Sequence, residues 1–390
     1  MGRLLFNDAV SDKIVGLGPG RGPLEFHRRL PGYRPTPLRR LPELASRLRV
    51  GEVFLKDESD RLRLPAFKIL GASWAAYRAA VQRLGQEPPP WSTIEELRPH
   101  LEPLKPLDLI TATDGNHGRA VARIAALLGF DAHVFVPFGT VEARVTGIKS
   151  EGATVITVSG TYDDAVASAA GAQGDRSLLI QDTSWPGYEE VPAWVIEGYS
   201  TMFREIDNAL AEAGKPGPDL VVVQIGVGAL AAATVSHYRR ADIGPTPRIL
   251  AVEPVSAACA LAAFESRRVV TIRGPHDSIM AGLNCGTLAT VAWPLLKAGI
   301  DCFVTIGDER AREAMRELAV AGVVSGESGA AGLGALLELL EARKAHTIRA
   351  RLGIDNTSRV LLISTEGATD PASYEQVVGR PPAAVGGTPG

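Results

Sequence analysis

Cysteine is scarce in this 390-residue chain: Cys259, Cys285 and Cys302 are the only three. None stands in a CxxC spacing, so neither a zinc ribbon nor a disulfide framework is expected. Reduced thiols packed as small hydrophobes are the plain reading, and the pairing of Cys259 with Cys285 stays open. A dominant charge is lacking too: 41 Lys and Arg face 44 Asp and Glu, and no basic cluster stands beside spaced aromatics. Nucleic acid is therefore not an expected partner. No stretch reaches the roughly 20 apolar residues that cross a bilayer. The opening MGRLLFNDAVSDKIVG has no long apolar run after its arginine and no myristoylation signal. No membrane partner and a cytoplasmic location are the expectation. With 45% hydrophobic and 22% charged residues the composition is that of an ordinary folded protein, which sets disordered and fibrous classes aside.

What is present is alternation. From residue 107 onward, short β-branched runs alternate with segments of helical period. LDLITA (107–112) is followed by NHGRAVARIAALLG, in which Val121, Ile124, Ala125 and Leu128 share one face and Gly129 stands where a left-handed cap belongs. HVFV, ATVITV, SLLIQ, LVVVQI, RILAVE and RVLLIST read as further strands, apolar on both faces as in a covered parallel sheet. The pattern predicts an α/β fold with helices on both sides of the strands. The chain is long for one core, so two lobes are expected: residues 1–105 and 205–390 as a large lobe, with 106–204 inserted as a small one. Segment 86–108 holds six prolines and reads as the connector and hinge between them, and the terminal RPPAAVGGTPG reads as loose.

Five regions could carry chemistry. In LPAFKILGASWAAYRA (64–79) a single lysine, Lys68, stands among apolar neighbours. A stem lying on apolar surface with its ammonium in water explains it, and so does a Schiff-base amine whose pKa is lowered by desolvation. ATDGNHG (112–118) lies between a strand end and a helix start, where backbone N–H groups suit an anion. Asp114, Asn116 and His117 could serve a site there or simply cap and turn the chain. GVGAL (226–230) follows another strand and could wrap a phosphate in backbone amides. Ala231 replaces the third glycine of a dinucleotide fingerprint, yet Glu253 sits roughly where a ribose-binding acid would, so a nicotinamide enzyme competes. Finally, SGESGAAGLG (325–334) signals close approach of a helix to a ligand or a sheet, and Ser364 in RVLLISTEGATD would either face a crevice or cap the next turn of chain.

Taken in order, PTPL (35–38), the Phe-Lys of AFKILGA, the Gly-Asn-His of TDGNHG, GVGAL, AVEP and a serine on the last strand resemble the pyridoxal-phosphate enzymes of fold type II, the tryptophan-synthase β-like family. More narrowly, TDGNHGRAVA, QDTSWPGY, EGYSTM, QIGVGAL, IMAGLNCG, SGESGAAGLG and LLISTEGATD resemble the diaminopropionate ammonia-lyases. The resemblance implies pyridoxal 5'-phosphate between two lobes, with Lys68 as its imine lysine. It places Asn116 at the ring's phenolic oxygen, the amides of Gly226, Val227, Gly228, Ala229 and Leu230 at the phosphate, and Ser364 at the pyridine nitrogen. It implies α,β-elimination of 2,3-diaminopropionate, D and L, to pyruvate and two ammonia. Asp114 would take the α-proton of the D form and Asp182 that of the L form, while Thr113, Asn116 and His117 would meet the α-carboxylate with hydroxyl and N–H donors. Asp114 stands where common amino-acid dehydratases of this fold carry a small residue, and a carboxylate there would also hold the substrate's β-ammonium. A homodimer acting on a small amino acid, with no metal, is implied. A threonine or serine dehydratase of the same fold and a non-catalytic ligand-binding relative are the alternatives. Pro186, within SWPGY, departs from the family pattern.

Overall fold

Runs such as LVVVQ and RVLLIS are apolar at almost every position and largely β-branched, which suits strands covered on both faces. In the computed structural model, which describes residues 2–14, 22–240, 242 and 244–385, these runs form the interior of a sheet. The described residues hold eleven strands: β1 (Leu4–Phe6), β2 (Leu38–Arg40), β3 (Glu52–Asp57), β4 (Asp108–Ala112), β5 (Asp131–Pro137), β6 (Thr154–Val158), β7 (Ser177–Leu179), β8 (Leu220–Gln224), β9 (Arg248–Pro254), β10 (Cys302–Ile306) and β11 (Arg359–Ser364). The chain divides into two compact units.

The first unit comprises Met1–Gly18, Pro35–Asp60 and Met202–Gly390. Its sheet runs β1-β10-β9-β8-β11-β3-β2. The five inner strands are parallel, whereas β1 on β10 and β2 on β3 are antiparallel. The edges therefore depart from the parallel order expected of the sequence, and three-residue strands such as LLF and LRR are too short to show a period. Helix Glu327–Leu340 covers the sheet, its Ala330, Ala331, Leu333 and Leu337 sharing one buried cluster with Val222, Val252, Val304 and Leu362. A Cβ at Gly329 would fall 2.8 Å from the carbonyl oxygen of Glu366, so the small residues of SGESGAAGLG serve close packing against the end of β11.

The second unit comprises Pro19–Arg34 and Arg61–Thr201. Its four strands, in the order β6-β5-β4-β7, are all parallel, and Ile110, Ala112, Phe135 and Leu179 form its core with Ala165 and Ala169 of helix Tyr162–Gly171. Residues 19–34 and 61–105 belong to this unit, not to the larger one where sequence reading placed them. The physical reason is helix Ile69–Leu84, which packs against helices Asn116–Leu128 and Glu190–Gly198 of the same unit. Two glycines permit that approach. A Cβ at Gly71 would lie 2.6 Å from Tyr199 Cε1 and 2.7 Å from Val195 Cγ1, and one at Gly198 would lie 2.5 Å from the Leu70 carbonyl oxygen. Gly71→Ala is accordingly expected to destabilise the chain by about 1–3 kcal/mol through overpacking, read from the denaturant midpoint.

The proline-rich segment is not a connector between units. It lies wholly inside the second one and carries helix Ile94–Leu101, whose Ile94, Leu97 and Leu101 are fully buried. Thr93 caps that helix by accepting from the Glu96 N–H, a signal that the neighbouring prolines obscured. Trp91 is buried among Phe26 and Tyr77 of the same unit. At the carboxyl end, residues 380–385 include a short 3-10 turn with Val385 buried, and the rest of the tail expected to be loose lies outside the described residues. Cys259, Cys285 and Cys302 are all buried. Among the described residues no helix is long and apolar enough to cross a membrane.

Candidate active site

Lys68 stands at the amino-terminal cap of helix Ile69–Leu84, where no side chain caps the turn. Its Nζ lies 2.5 Å from Asp182 Oδ2, in a pair whose side chains are 20% and 5% exposed. Desolvation was expected to lower the pKa of this lysine, and the structure corrects that sign. Burial does press against the charge and is the largest single influence, but Asp182, Tyr199 and Asp114 together outweigh it and the net shift is upward. Lys68 therefore stands as an ammonium held by a carboxylate.

The two aspartates diverge. Burial alone would raise Asp182, yet the charge of Lys68 overrides it and holds its carboxyl down to about 2. Asp114 moves the other way: burial raises it, and Arg144 and Lys68 offset only part of that rise. Two carboxylates beside one lysine are thus pushed to opposite sides of the ordinary value, the arrangement by which a site separates proton-transfer roles. The loop after β7 sets Asp182. Pro186 and Gly187, the latter at φ +91°, close a turn in which the Tyr188 N–H donates to the Trp185 carbonyl at 2.9 Å. The Tyr188 hydroxyl then donates to the Leu179 carbonyl and accepts from the Gln181 N–H, so the departure at Pro186 braces this loop. Gln181 Oε1 accepts from Thr111 Oγ1 and the Ala112 N–H, which ties the Asp182 loop to the strand feeding Asp114.

On the neighbouring loop, Thr113 Oγ1 accepts from the Gly115 N–H at 2.9 Å and keeps its own proton for donation. Gly115 adopts φ 154°, ψ −76°, and Asn116 opens helix Asn116–Leu128, half-buried. His117 departs from its expected role. Its Nε2–H donates to the Ile180 carbonyl at 2.8 Å, and burial holds the imidazole neutral. Nδ1 is then an acceptor with no hydrogen-bond partner, 3.8 Å from Asp182 Oδ2, and has no N–H to offer a substrate carboxylate.

In the first unit, Gly226, Val227, Gly228, Ala229 and Leu230 carry the chain from β8 into helix Ala229–Tyr238. Gly228 caps that helix at φ +96°, and the first N–H groups beyond it lack intrahelical acceptors by construction. A Cβ at Gly226 would fall 2.8 Å from the Gly282 carbonyl oxygen, so the loop has room only for glycine. Ser364, fully buried at the end of β11, bonds to Ser325 Oγ at 2.8 Å. Gln224 Nε2 donates to the Ile363 carbonyl and to Thr365 Oγ1, joining the ends of β8 and β11. Glu253 is not available to a ribose: its two oxygens accept from the N–H groups of Ala260 and Leu261, and burial raises its carboxyl to about 7. The nicotinamide reading falls with it. A lysine amine, an amide cradle that a side chain would fill and a buried hydroxyl are the donor set pyridoxal phosphate requires, and the residues present fit that group.

Sequence reasoning passed over Tyr199, Arg144, Gln181 and Ser325. Tyr199 lay in the quoted EGYSTM without a role, while Arg144 and Ser325 acquire meaning only through folding. The family model for pyridoxal-phosphate dependent enzymes matches residues 29–365. The diaminopropionate ammonia-lyase of Salmonella typhimurium is 38% identical over 369 residues, covering 92% of this chain and 91% of that protein. The crystal structure of diaminopropionate ammonia-lyase from Escherichia coli in complex with an aminoacrylate-PLP azomethine reaction intermediate aligns at TM-score 0.87 and 32% identity over 97% of both chains. The same enzyme in complex with D-serine aligns at TM-score 0.87 and 31% identity, again over 97% of each.

Proposed function

The chain belongs to the pyridoxal-phosphate-dependent enzymes, and within them to the diaminopropionate ammonia-lyases; from that premise we propose how its own residues carry the α,β-elimination of 2,3-diaminopropionate. The observation supporting the assignment of roles is the cluster of Lys68, Asp182 and Asp114 in one unit, Asp182 buried and the other two half-buried, with its carboxylates shifted in opposite directions. Pyridoxal phosphate, when bound, supplies the electron sink that makes a substrate's α-proton removable.

Lys68 would be the amine that anchors it, the amides from Gly226 to Leu230 would receive its phosphate, Asn116 would meet its phenolic oxygen and Ser364 its ring nitrogen. A serine hydroxyl does not hold a proton on that nitrogen as a carboxylate would, which weakens the sink and favours loss of a β-leaving group. Asp114, the stronger base of the pair, takes the α-proton of the D substrate. Asp182 takes that of the L substrate once the lysine charge has moved away from it. Thr113 and Asn116 orient the α-carboxylate with donors; His117 faces the cluster as an acceptor. Loss of the α-proton and of β-ammonia leaves 2-aminoacrylate, which water converts to pyruvate and a second ammonia. The crystallised D-serine complex of the Escherichia coli enzyme supports a site that admits a D amino acid. The resemblance also supports a homodimer working in the cytoplasm.

The test is an assay of the purified yellow protein on D- and L-2,3-diaminopropionate beside L-serine and L-threonine. Two ammonia per pyruvate are expected from diaminopropionate, with kcat/KM exceeding that for the hydroxy amino acids by about tenfold or more, the value of one charge-assisted contact. Faster turnover of serine or threonine would move the chain to the dehydratases.

A further inference from the structure

Tyr199 is fully buried in the second unit, at the carboxyl end of helix Glu190–Gly198. Its ring leans on Phe67, the residue before Lys68, at a centroid distance of 4.6 Å. It also fills the space that a Cβ at Gly71 would need, its Cζ lying 2.8 Å from that position, one helical turn after Lys68. The phenol is therefore set by two neighbours of the lysine. Its oxygen lies within reach of the Lys68 ammonium, yet no hydrogen bond of good geometry satisfies it. A buried hydroxyl left unsatisfied costs on the order of 1–3 kcal/mol, so packing alone favours phenylalanine here.

Asp182 is an acceptor only. It binds Lys68 most strongly while the lysine is an ammonium; a neutral amine can still give it an N–H, but the amine's lone pair needs a donor, which a carboxylate lacks. Tyr199 is the donor within reach. We propose that Tyr199 is the second seat of the Lys68 side chain: its O–H donates to Nζ when the amine is neutral, leaving Asp182 as an unencumbered carboxylate for the substrate proton. The two partners sort the lysine by charge, the ammonium to Asp182 and the amine to Tyr199. Burial favours this role because it pushes the Tyr199 phenol well above its ordinary pKa and keeps the proton on oxygen. The inference rests on the reading of Lys68 as the cofactor-anchoring amine.

Tyr199→Phe tests it without disturbing the packing. The full chain, stripped of cofactor, is mixed with pyridoxal phosphate at fixed pH, and imine formation, which needs the neutral amine, is followed by visible absorbance. Formation in the variant is expected to be about five- to tenfold slower than in the wild type, the value of one hydrogen bond. In the reloaded enzyme, kcat on L-2,3-diaminopropionate is expected to fall by a similar factor with KM little changed, while the thermal midpoint stays level or rises. Imine formation and kcat within about twofold of wild type, or losses matched by a falling thermal midpoint, overturn the role of Tyr199. The assignment of Lys68 would survive either result, because the imine itself reports that lysine.

Discussion

Asp114→Asn is expected to lose turnover of D-2,3-diaminopropionate by about two to four orders of magnitude, the usual value of a positioned base, and to spare most of the turnover of the L form. Asp182→Asn is expected to do the reverse. The asymmetry follows from the electrostatics, since burial leaves Asp114 the better base while Lys68 holds Asp182 down to about 2. Any contact of Asp114 with the β-ammonium is shared by both enantiomers and would show as a common rise in KM, separable from the enantiomer-specific fall in kcat. Steady-state kinetics on pure enantiomers decide the matter; equal losses of kcat for both would defeat the facial assignment.

Lys68→Ala is expected to abolish elimination and the imine chromophore. Separately, it should lower stability by about 3 kcal/mol, because Asp182 remains as a buried carboxylate without its cation. Lys68→Ala with Asp182→Asn should regain most of that stability and none of the activity. The direction of the pH dependence is set by the two shifts. Asp182 is depressed in the folded chain, so its contribution is present above the ordinary carboxylate pKa of about 3.9 and is lost as pH falls towards about 2. Lys68 is raised, so its share persists until pH climbs past its own shifted value. Thermal midpoints of wild type and Lys68→Ala should therefore differ by a constant gap near neutrality and converge below about pH 4. A gap that persisted in acid would assign the loss to the packing of the lysine stem.

β8, β9 and β11 of the larger sheet and the four strands of the smaller one were legible because their apolar runs show a pattern, β3 and β10 were passed over, and Gly129 does cap helix Asn116–Leu128 in the left-handed conformation. β1 and β2 were not legible, being three residues each at sheet edges. Helix Ile94–Leu101 was hidden by the prolines around it, although Thr93 and Glu96 carried its start signal. At the site, the positions of Lys68 and Asp114 drew attention as local oddities: a lone lysine in an apolar run and an acid at a strand end. Their charge states were not readable, because the partner that reverses the expected shift of Lys68 lies 114 positions away. The acceptor role of His117 likewise depends on the Ile180 carbonyl, on a different loop.

The division of the chain at Arg61 and Thr201 has an evolutionary consequence. Lys68, Asp114, Asp182 and Tyr199 lie in one continuous stretch of the gene, whereas the phosphate loop and Ser364 are encoded after it. On the proposed roles, stereochemical preference and the grip on the coenzyme's phosphate and ring nitrogen are separately encoded. Selection can retune which mirror image is consumed while the cradle for the coenzyme is left untouched.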